Sequence, residues 1–127
     1  MPNHYHLVVE TQEPNLSAGI QHLNGRYAQA FNHRHALDGH LFQGRFHASA
    51  VESTWHLLAL TRYLALNPVT GGLCSRPSEW QWGSYAALIG NMPARPFIAV
   101  GQILQWFGPD LGRARHTLRD FVGELAD

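Results

Sequence analysis

The 127-residue sequence contains no lysine and a single cysteine, Cys74. A lone cysteine excludes an intramolecular disulfide framework and a zinc site built from several thiolates. Without lysine, the fixed positive charge comes from nine arginines, and nine acidic residues balance it to a formal net charge of zero. This composition excludes a basic tail or a lysine-rich membrane surface, although arginines clustered on one face could still bind phosphates.

Long hydrophobic runs are also absent. No stretch approaches the roughly eighteen apolar residues that a membrane span needs, and the first ten residues lack the basic start and apolar stretch of a signal peptide. With 45% hydrophobic and 14% charged residues, the chain has the composition of one folded domain rather than of a disordered segment. We therefore expect a soluble, cytoplasmic protein.

Histidine, in contrast, is abundant, with nine residues. Two H-x-H pairs occur, His4 with His6 and His33 with His35, but at this abundance a pair alone is weak evidence. On a strand, residues two apart share a face, so His4 and His6 could bind one divalent ion together. Two polar residues on a solvated strand face are the simpler interpretation. His33 and His35 fall near a helix end, where side chains two apart diverge, and we assign them no ligand.

Hydrophobic periodicity predicts two strands and four helices. β-Branched and aromatic residues indicate strands over 4–9 and about 43–52. Apolar residues three and four apart predict helices over about 15–36, 53–67, 99–107 and 113–125. The order is therefore strand, helix, strand, helix and a helical tail.

The second predicted helix carries Tyr63 and Asn67. Ser53 or Thr54 would cap its start, and Asn67-Pro68 should end it, because a residue before proline is pushed out of the α region. Four residues apart, the Tyr63 phenol and the Asn67 amide lie on one helix face and can reach a common point. Taken alone, a half-buried helix tyrosine and a capping asparagine are the commoner roles.

Five segments, in order, resemble the HUH single-tyrosine transposases and, within them, the REP-associated tyrosine transposases. They are MPNHYHLVVE, NLSAGIQHLNGRYAQAFNHRH, GHLFQGRFHASAVE, LTRYLALNPVTGGL and EWQWGSYAALIG. The match covers roughly residues 1–90, and residues 100–125 loosely resemble the helical tail of the family. Five ordered motifs are far more specific than one histidine pair.

The resemblance implies a site and a reaction. In this family two histidines hold Mg²⁺ or Mn²⁺, and His4 and His6 match them. Tyr63, shortly before an Asn-Pro dipeptide, matches the catalytic tyrosine, and Asn67 matches the third metal ligand of related enzymes. The implied reaction is metal-dependent cleavage and rejoining of single-stranded, hairpin-flanked DNA through a 5′-phosphotyrosine, in the bacterial cytoplasm.

The resemblance also implies a ferredoxin-like α+β fold, whose first strand, helix and second strand would precede residue 3. We therefore expect a truncated ferredoxin-like HUH transposase domain (strand-helix-strand-helix) over residues 1–75 and a helical C-terminal extension over 76–127. A strand short of neighbours exposes an edge that can pair with another chain. We accordingly expect a homodimer.

Candidate DNA contacts and two rival functions complete the expectations. The arginines assigned to phosphates are Arg26, Arg34, Arg45 and Arg62. The tryptophans that could stack bases, with packing beneath the helices as the favoured role, are Trp55, Trp80 and Trp82. The first rival function is a truncated relative that binds hairpin DNA without cleaving it. The second is a histidine-metal hydrolase that uses water and does not act on nucleic acid.

Overall fold

The computed structural model of the protein describes residues 1–123. In that range the chain forms five α-helices and one 3₁₀ turn, listed here in chain order: α1 (Leu16–His35), α2 (Thr54–Thr70), the 3₁₀ turn (Pro77–Glu79), α3 (Tyr85–Leu88), α4 (Val100–Leu104) and α5 (Leu111–Val122). The chain divides into two compact units. One comprises Leu7–Ala50, and the other comprises Met1–His6 and Val51–Asp127.

The predicted strands are the main error of the sequence interpretation. No β-strand forms between residues 1 and 123, so the strand-helix-strand-helix, ferredoxin-like α+β fold is wrong. Segments 4–9 and 43–52 are irregular and mostly exposed. A strand exists only through hydrogen bonds to a neighbouring strand, and an isolated pair is marginal in water. The two β-type segments form no such ladder, so their residue pattern alone does not produce a sheet.

In the unit Leu7–Ala50, α1 agrees closely with the helix predicted over 15–36. The helix ends at Ala36, whose φ of 51° lies in the left-handed region and whose N–H donates to the Asn32 carbonyl. The Asn32 side chain then donates to the Gly39 carbonyl at 3.0 Å. The Tyr27 and Phe42 rings lie 6.3 Å apart. The chain after α1 therefore turns back onto its own helix.

In the other unit, α2 to α5 share one hydrophobic core. Along α5, Ala114, Leu118 and Val122 recur every four residues and are almost completely buried. Leu104 of α4 and Ala65 of α2 belong to the same cluster. Further members of this core are Tyr85, Leu88, Ile89 and Phe107. Helix α2 is thus fixed to the helices that follow it, while a domain boundary between residues 75 and 76 stays a prediction.

The ends of α2 are partly as predicted. Its start is confirmed, because the Ser53 hydroxyl accepts a hydrogen bond from the His56 N–H at 3.1 Å. Its predicted end at Asn67-Pro68 is wrong, since the helix continues through Pro68 to Thr70. The proline lies in the last turn, where one lost N–H costs little, and the Gly71 N–H still donates to the Asn67 carbonyl at 2.9 Å.

The later helices are shorter than predicted or begin earlier. Helix α4 covers only the middle of the segment predicted over 99–107. Helix α5 begins two residues before the predicted position 113, because the Asp110 side chain caps it by accepting from the Arg113 N–H. It ends at Gly123, whose φ of 87° suits glycine. Residues 124 and 125 of the predicted helix lie outside the described residues.

Gly90, just after α3, occupies a position that no other residue fits without strain. Its φ is +84°, and a Cβ there would lie 2.8 Å from the Arg115 Cζ. The Arg115 Nε donates to the Leu88 carbonyl at 3.3 Å, so the guanidinium is held in place against the Gly90 backbone.

We predict that Gly90→Ala lowers the free energy of unfolding by about 1–3 kcal/mol, because it combines a left-handed backbone with a steric clash. Gly101→Ala is the matched control, since a Cβ at this helical glycine meets nothing within 4 Å. It should raise stability by about 0.5–1 kcal/mol. Urea unfolding followed by circular dichroism measures both, and equal stability of Gly90→Ala and the wild type would contradict the description of this turn.

Candidate functional site

Tyr63 lies on the face of α2 that points away from the core. Thr61 and Ala65 of the same helix are buried, whereas Tyr63 is 50% exposed. At 100° per residue, Tyr63 is roughly 160–200° around the helix axis from both of them. The core-facing residues therefore fix the helix, and the phenol remains open to a large ligand.

The segment Met1–His6 lies beside the C-terminal half of α2. At one end, a Cβ on Gly71 would be only 2.8 Å from the Met1 Cε, so the methionine side chain rests against the end of the helix. At the other end, the His6 and Tyr63 rings lie 5.6 Å apart in an edge-to-face arrangement. The segment therefore runs antiparallel to α2, and His4 lies between the two contacts in the sequence.

His4 and His6 are neighbours in space although they do not belong to a strand. Their ring centroids are 5.0 Å apart, with an interplanar angle of 84°. The His4 Nδ1 forms a 2.7 Å hydrogen bond with the Asn3 Oδ1. Because an amide oxygen only accepts, Nδ1 is the donor in this contact, and Nε2 retains the lone pair that can bind a metal.

The surroundings favour the neutral form of His6. Partial shielding from solvent lowers the pKa of His6, and electrostatic repulsion between protonated His6 and both the His4 imidazole, when that is protonated, and the N-terminal amino group lowers this pKa further. Neutral imidazole is the form that binds a metal ion. The electrostatics therefore suit metal binding by His6 at neutral pH.

The spacing of the His4 and His6 rings can be compared with that of two ligands of one divalent ion. An imidazole nitrogen binds such an ion at about 2.1 Å, so two rings in neighbouring coordination positions have centroids about 4.6–5.3 Å apart. The 5.0 Å spacing of His4 and His6 lies within that range. In the described part of the chain, no group of three or more His, Cys, Asp and Glu residues could hold a metal. A further protein ligand would have to be an amide oxygen, and half-buried Asn67 lies one turn after Tyr63.

Cys74, the single thiol, does not provide an alternative nucleophile. Burial raises the pKa of the Cys74 thiol, and the Glu79 carboxylate raises this pKa further. The thiolate, which is the reactive form, is thereby disfavoured. The Glu79 carboxylate is itself held by the Ser75 and Arg76 N–H groups, at 3.0 and 3.1 Å.

The four arginines assigned to DNA are not gathered in one unit. Arg26, Arg34 and Arg45 are exposed in the unit Leu7–Ala50, whereas Arg62 belongs to the other unit. The Arg62 Nε donates to the Phe121 carbonyl at 3.0 Å. This carbonyl lies in the last turn of α5, where backbone acceptors lack helical partners and a cation is favourable. Arg62 thus has a structural role that its sequence position did not indicate, and the phosphate contacts stay predictions.

Two of the three tryptophans singled out in the sequence do not have the packing role that was favoured for them. Packing beneath the helices is wrong for Trp55 and Trp82, which are 78% and 77% exposed. Trp80 is half-buried, and its ring would lie 3.1 Å from a Cβ at Gly83. Helical periodicity does not decide the exposure of Trp55, since at 100° per residue this side chain lies about 80° around the axis from both exposed Tyr63 and buried Ala65.

A comparison with models of protein families gives a match over the first part of the chain. A family model described as "Transposase IS200 like" matches residues 1–67, which is more than half of the chain. No curated protein and no solved structure gives a significant match. None of the helices within residues 1–123 is long and apolar enough to cross a membrane.

We predict that Arg62→Met lowers the free energy of unfolding by about 1 kcal/mol, because the Phe121 carbonyl loses its charged donor while most of the aliphatic packing is kept. Arg26→Met removes an exposed arginine from the other unit and should change stability by less than about 0.5 kcal/mol. Urea unfolding compares the two variants. Equal stability of Arg62→Met and the wild type would show that this hydrogen bond does not stabilise α5.

Proposed function

The chain belongs to the IS200-like transposase family, and from this premise we propose that it cleaves and rejoins single-stranded DNA through a covalent bond to Tyr63. Transposases are enzymes that process DNA. The observation that carries the proposal is the 5.6 Å contact between the His6 and Tyr63 rings, because it joins the two ends of the family match in one site. A nucleophile and a pair of metal-binding side chains are the groups that this reaction requires.

Tyr63 supplies the nucleophile. The Tyr63 hydroxyl gives up its proton and its oxygen attacks the phosphorus of one phosphodiester. The bond from phosphorus to the 3′ oxygen breaks, and this oxygen takes up one proton and leaves as a hydroxyl. The 5′ side of the break is then held as a phosphotyrosine. A 3′-hydroxyl can attack this phosphotyrosine and restore a phosphodiester, so the step is reversible and suits strand exchange better than hydrolysis. The exposed position of Tyr63 on α2 gives a DNA strand room to approach.

His4, His6 and Asn67 would hold the divalent ion. When bound, the ion would act as a Lewis acid on the scissile phosphate. The Asn3 amide keeps the Nε2 lone pair of His4 available, and the lowered pKa of His6 keeps its imidazole neutral. Two imidazoles with one amide oxygen suit Mn²⁺ better than Mg²⁺, which prefers oxygen ligands.

The proposed partners are single-stranded or hairpin DNA and a second copy of the chain. Support for a homodimer comes from the apolar side chains of the segment after the histidines, of which Leu7 and Val9 are 53% and 51% exposed. Exposed apolar residues whose backbone belongs to no sheet can pair with another chain. A monomer mass by light scattering at micromolar concentration would contradict the homodimer.

Covalent trapping tests the reaction. We predict that the chain, incubated with Mn²⁺ and end-labelled single-stranded hairpin oligonucleotides, forms a labelled protein band that survives denaturation. Tyr63→Phe should abolish the band, because it removes only the attacking oxygen. Tyr27→Phe, which alters another exposed tyrosine, is the matched control and should retain it.

The outcomes of trapping separate the candidate functions. A band that persists in Tyr63→Phe would refute Tyr63 as the nucleophile. No band, together with a shifted oligonucleotide on a native gel, would indicate a protein that binds DNA without cleaving it. Hydrolysis that is unaffected by Tyr63→Phe would indicate a water-using metal hydrolase instead.

Metal binding gives an independent prediction. We expect titration calorimetry to show that His4→Ala and His6→Ala each weaken Mn²⁺ binding about tenfold or more, because each removes a ligand. His33→Ala, which alters an exposed histidine of α1, should bind Mn²⁺ like the wild type. Equal affinity of all four proteins would remove His4 and His6 from the metal site.

A further inference from the structure

Trp55, at the start of α2, is more exposed than Tyr63 of the same helix. Its side chain is 78% exposed, against 50% for Tyr63. Tryptophan carries the largest apolar surface of any side chain and is highly buried on average. An indole this open on a helix that is otherwise fixed to a core indicates a surface on which something flat and apolar binds.

Trp55, Ala59 and Tyr63 form one row along the helix. They are four residues apart, and side chains at this spacing lie above one another on an α-helix. All three are exposed. The buried positions of the helix are Thr61, Ala65 and Pro68, and none of them belongs to this row. The methyl group of Ala59 leaves the surface between the two aromatic rings open. The row is thus a shallow path with an aromatic ring at each end.

The charges of α2 suit a polyanion. The helix contains no aspartate or glutamate, and its ionisable side chains besides Tyr63 are His56 and Arg62. A phosphodiester backbone can therefore follow the row without meeting a carboxylate of this helix. An aromatic ring beside a path without negative charge is the combination with which proteins bind single-stranded nucleic acid.

We propose that Trp55 is a stacking platform for one nucleobase of the DNA strand whose phosphate Tyr63 attacks. The proposal rests on the proposed function for its choice of ligand. Eight residues of helix separate the Cα atoms of Trp55 and Tyr63 by about 12 Å along the helix axis. Successive phosphates of one strand are about 3.4 Å apart along a duplex and farther apart in a stretched strand. The stacked base therefore lies within about four nucleotides of the cleaved phosphate. Its partner is an unpaired base, because bases inside a duplex are already stacked.

The test measures DNA affinity without requiring cleavage. In the Tyr63→Phe chain, fluorescence anisotropy of a labelled single-stranded oligonucleotide gives the Kd. Trp55→Ala should raise this Kd about 5- to 150-fold, the range found when a base-stacking aromatic side chain is removed. Trp55→Phe keeps a smaller ring and should have an intermediate Kd. Phe97→Ala removes an aromatic ring of similar exposure, 84%, from outside α2 and should leave the Kd unchanged.

Two further variants examine the path and the base. Ala59→Leu fills the surface between the rings and should also raise the Kd, although leucine suits a helix. An abasic nucleotide, moved one position at a time along the oligonucleotide, should weaken binding to the Trp55 protein at one position. The abasic nucleotide at that position should not raise the Kd of the Trp55→Ala protein any further, because both changes remove the same stacking contact.

Several results would overturn the stacking role. They are an unchanged Kd in Trp55→Ala, an equal loss in Phe97→Ala, and abasic effects that are the same with and without Trp55. A change of oligomeric state in Trp55→Ala with no change in Kd would assign this surface to a second copy of the chain. Absence of a trapped adduct would refute only the role of Tyr63 as the nucleophile. The stacking role of Trp55 would still be decided by the binding measurements, because these do not depend on cleavage.

Discussion

The burial of one face of α2 is the interaction on which the site depends. Ala65 lies in the cluster formed with Leu104 and Leu118, and buried Thr61 satisfies its hydroxyl by donating to the Leu57 carbonyl at 2.9 Å. These contacts set the rotation of the helix about its axis. The residues on the opposite face are thereby directed away from the core. Tyr63 points to solvent because Thr61 and Ala65, on the other side of the helix, are buried. The short helices α3 to α5 are therefore part of the support for the site.

The histidine segment depends on much weaker restraints. No sheet holds it in the described part of the chain, and its position follows from the Met1 contact with Gly71 and the His6 contact with Tyr63. Ordering an irregular segment costs about 1–2 kcal/mol per residue in backbone entropy. A bound ion that joins His4 to His6 would offset part of this cost, because a ligand that binds only the ordered form stabilises it. Metal binding and ordering of the segment are thus expected to be coupled.

Local patterns predicted the helices better than the rest of the fold. The Ser53 cap and the common face of Tyr63 and Asn67 depend on residues within a few positions of each other, which helical periodicity describes. The strands failed because a strand needs a distant neighbour that no local pattern supplies. The partner of Arg62 is a backbone carbonyl in α5, and such an acceptor has no side-chain signature. The histidine pair was predicted on the argument that residues two apart share one face of a strand. No strand forms there, so the 5.0 Å spacing of the two rings arises from an irregular segment instead.

The central claim is that a metal ion bound by His4 and His6 lies beside the nucleophile Tyr63 within a single chain. Paramagnetic broadening by Mn²⁺ tests this most directly, with the ring of Tyr63 observed by NMR in tyrosine-labelled protein. The account predicts that substoichiometric Mn²⁺ broadens the Tyr63 ring signals strongly and that His6→Ala removes most of this effect. Tyr63 signals that stay sharp while Mn²⁺ binds elsewhere, or equal broadening in His6→Ala, would contradict it.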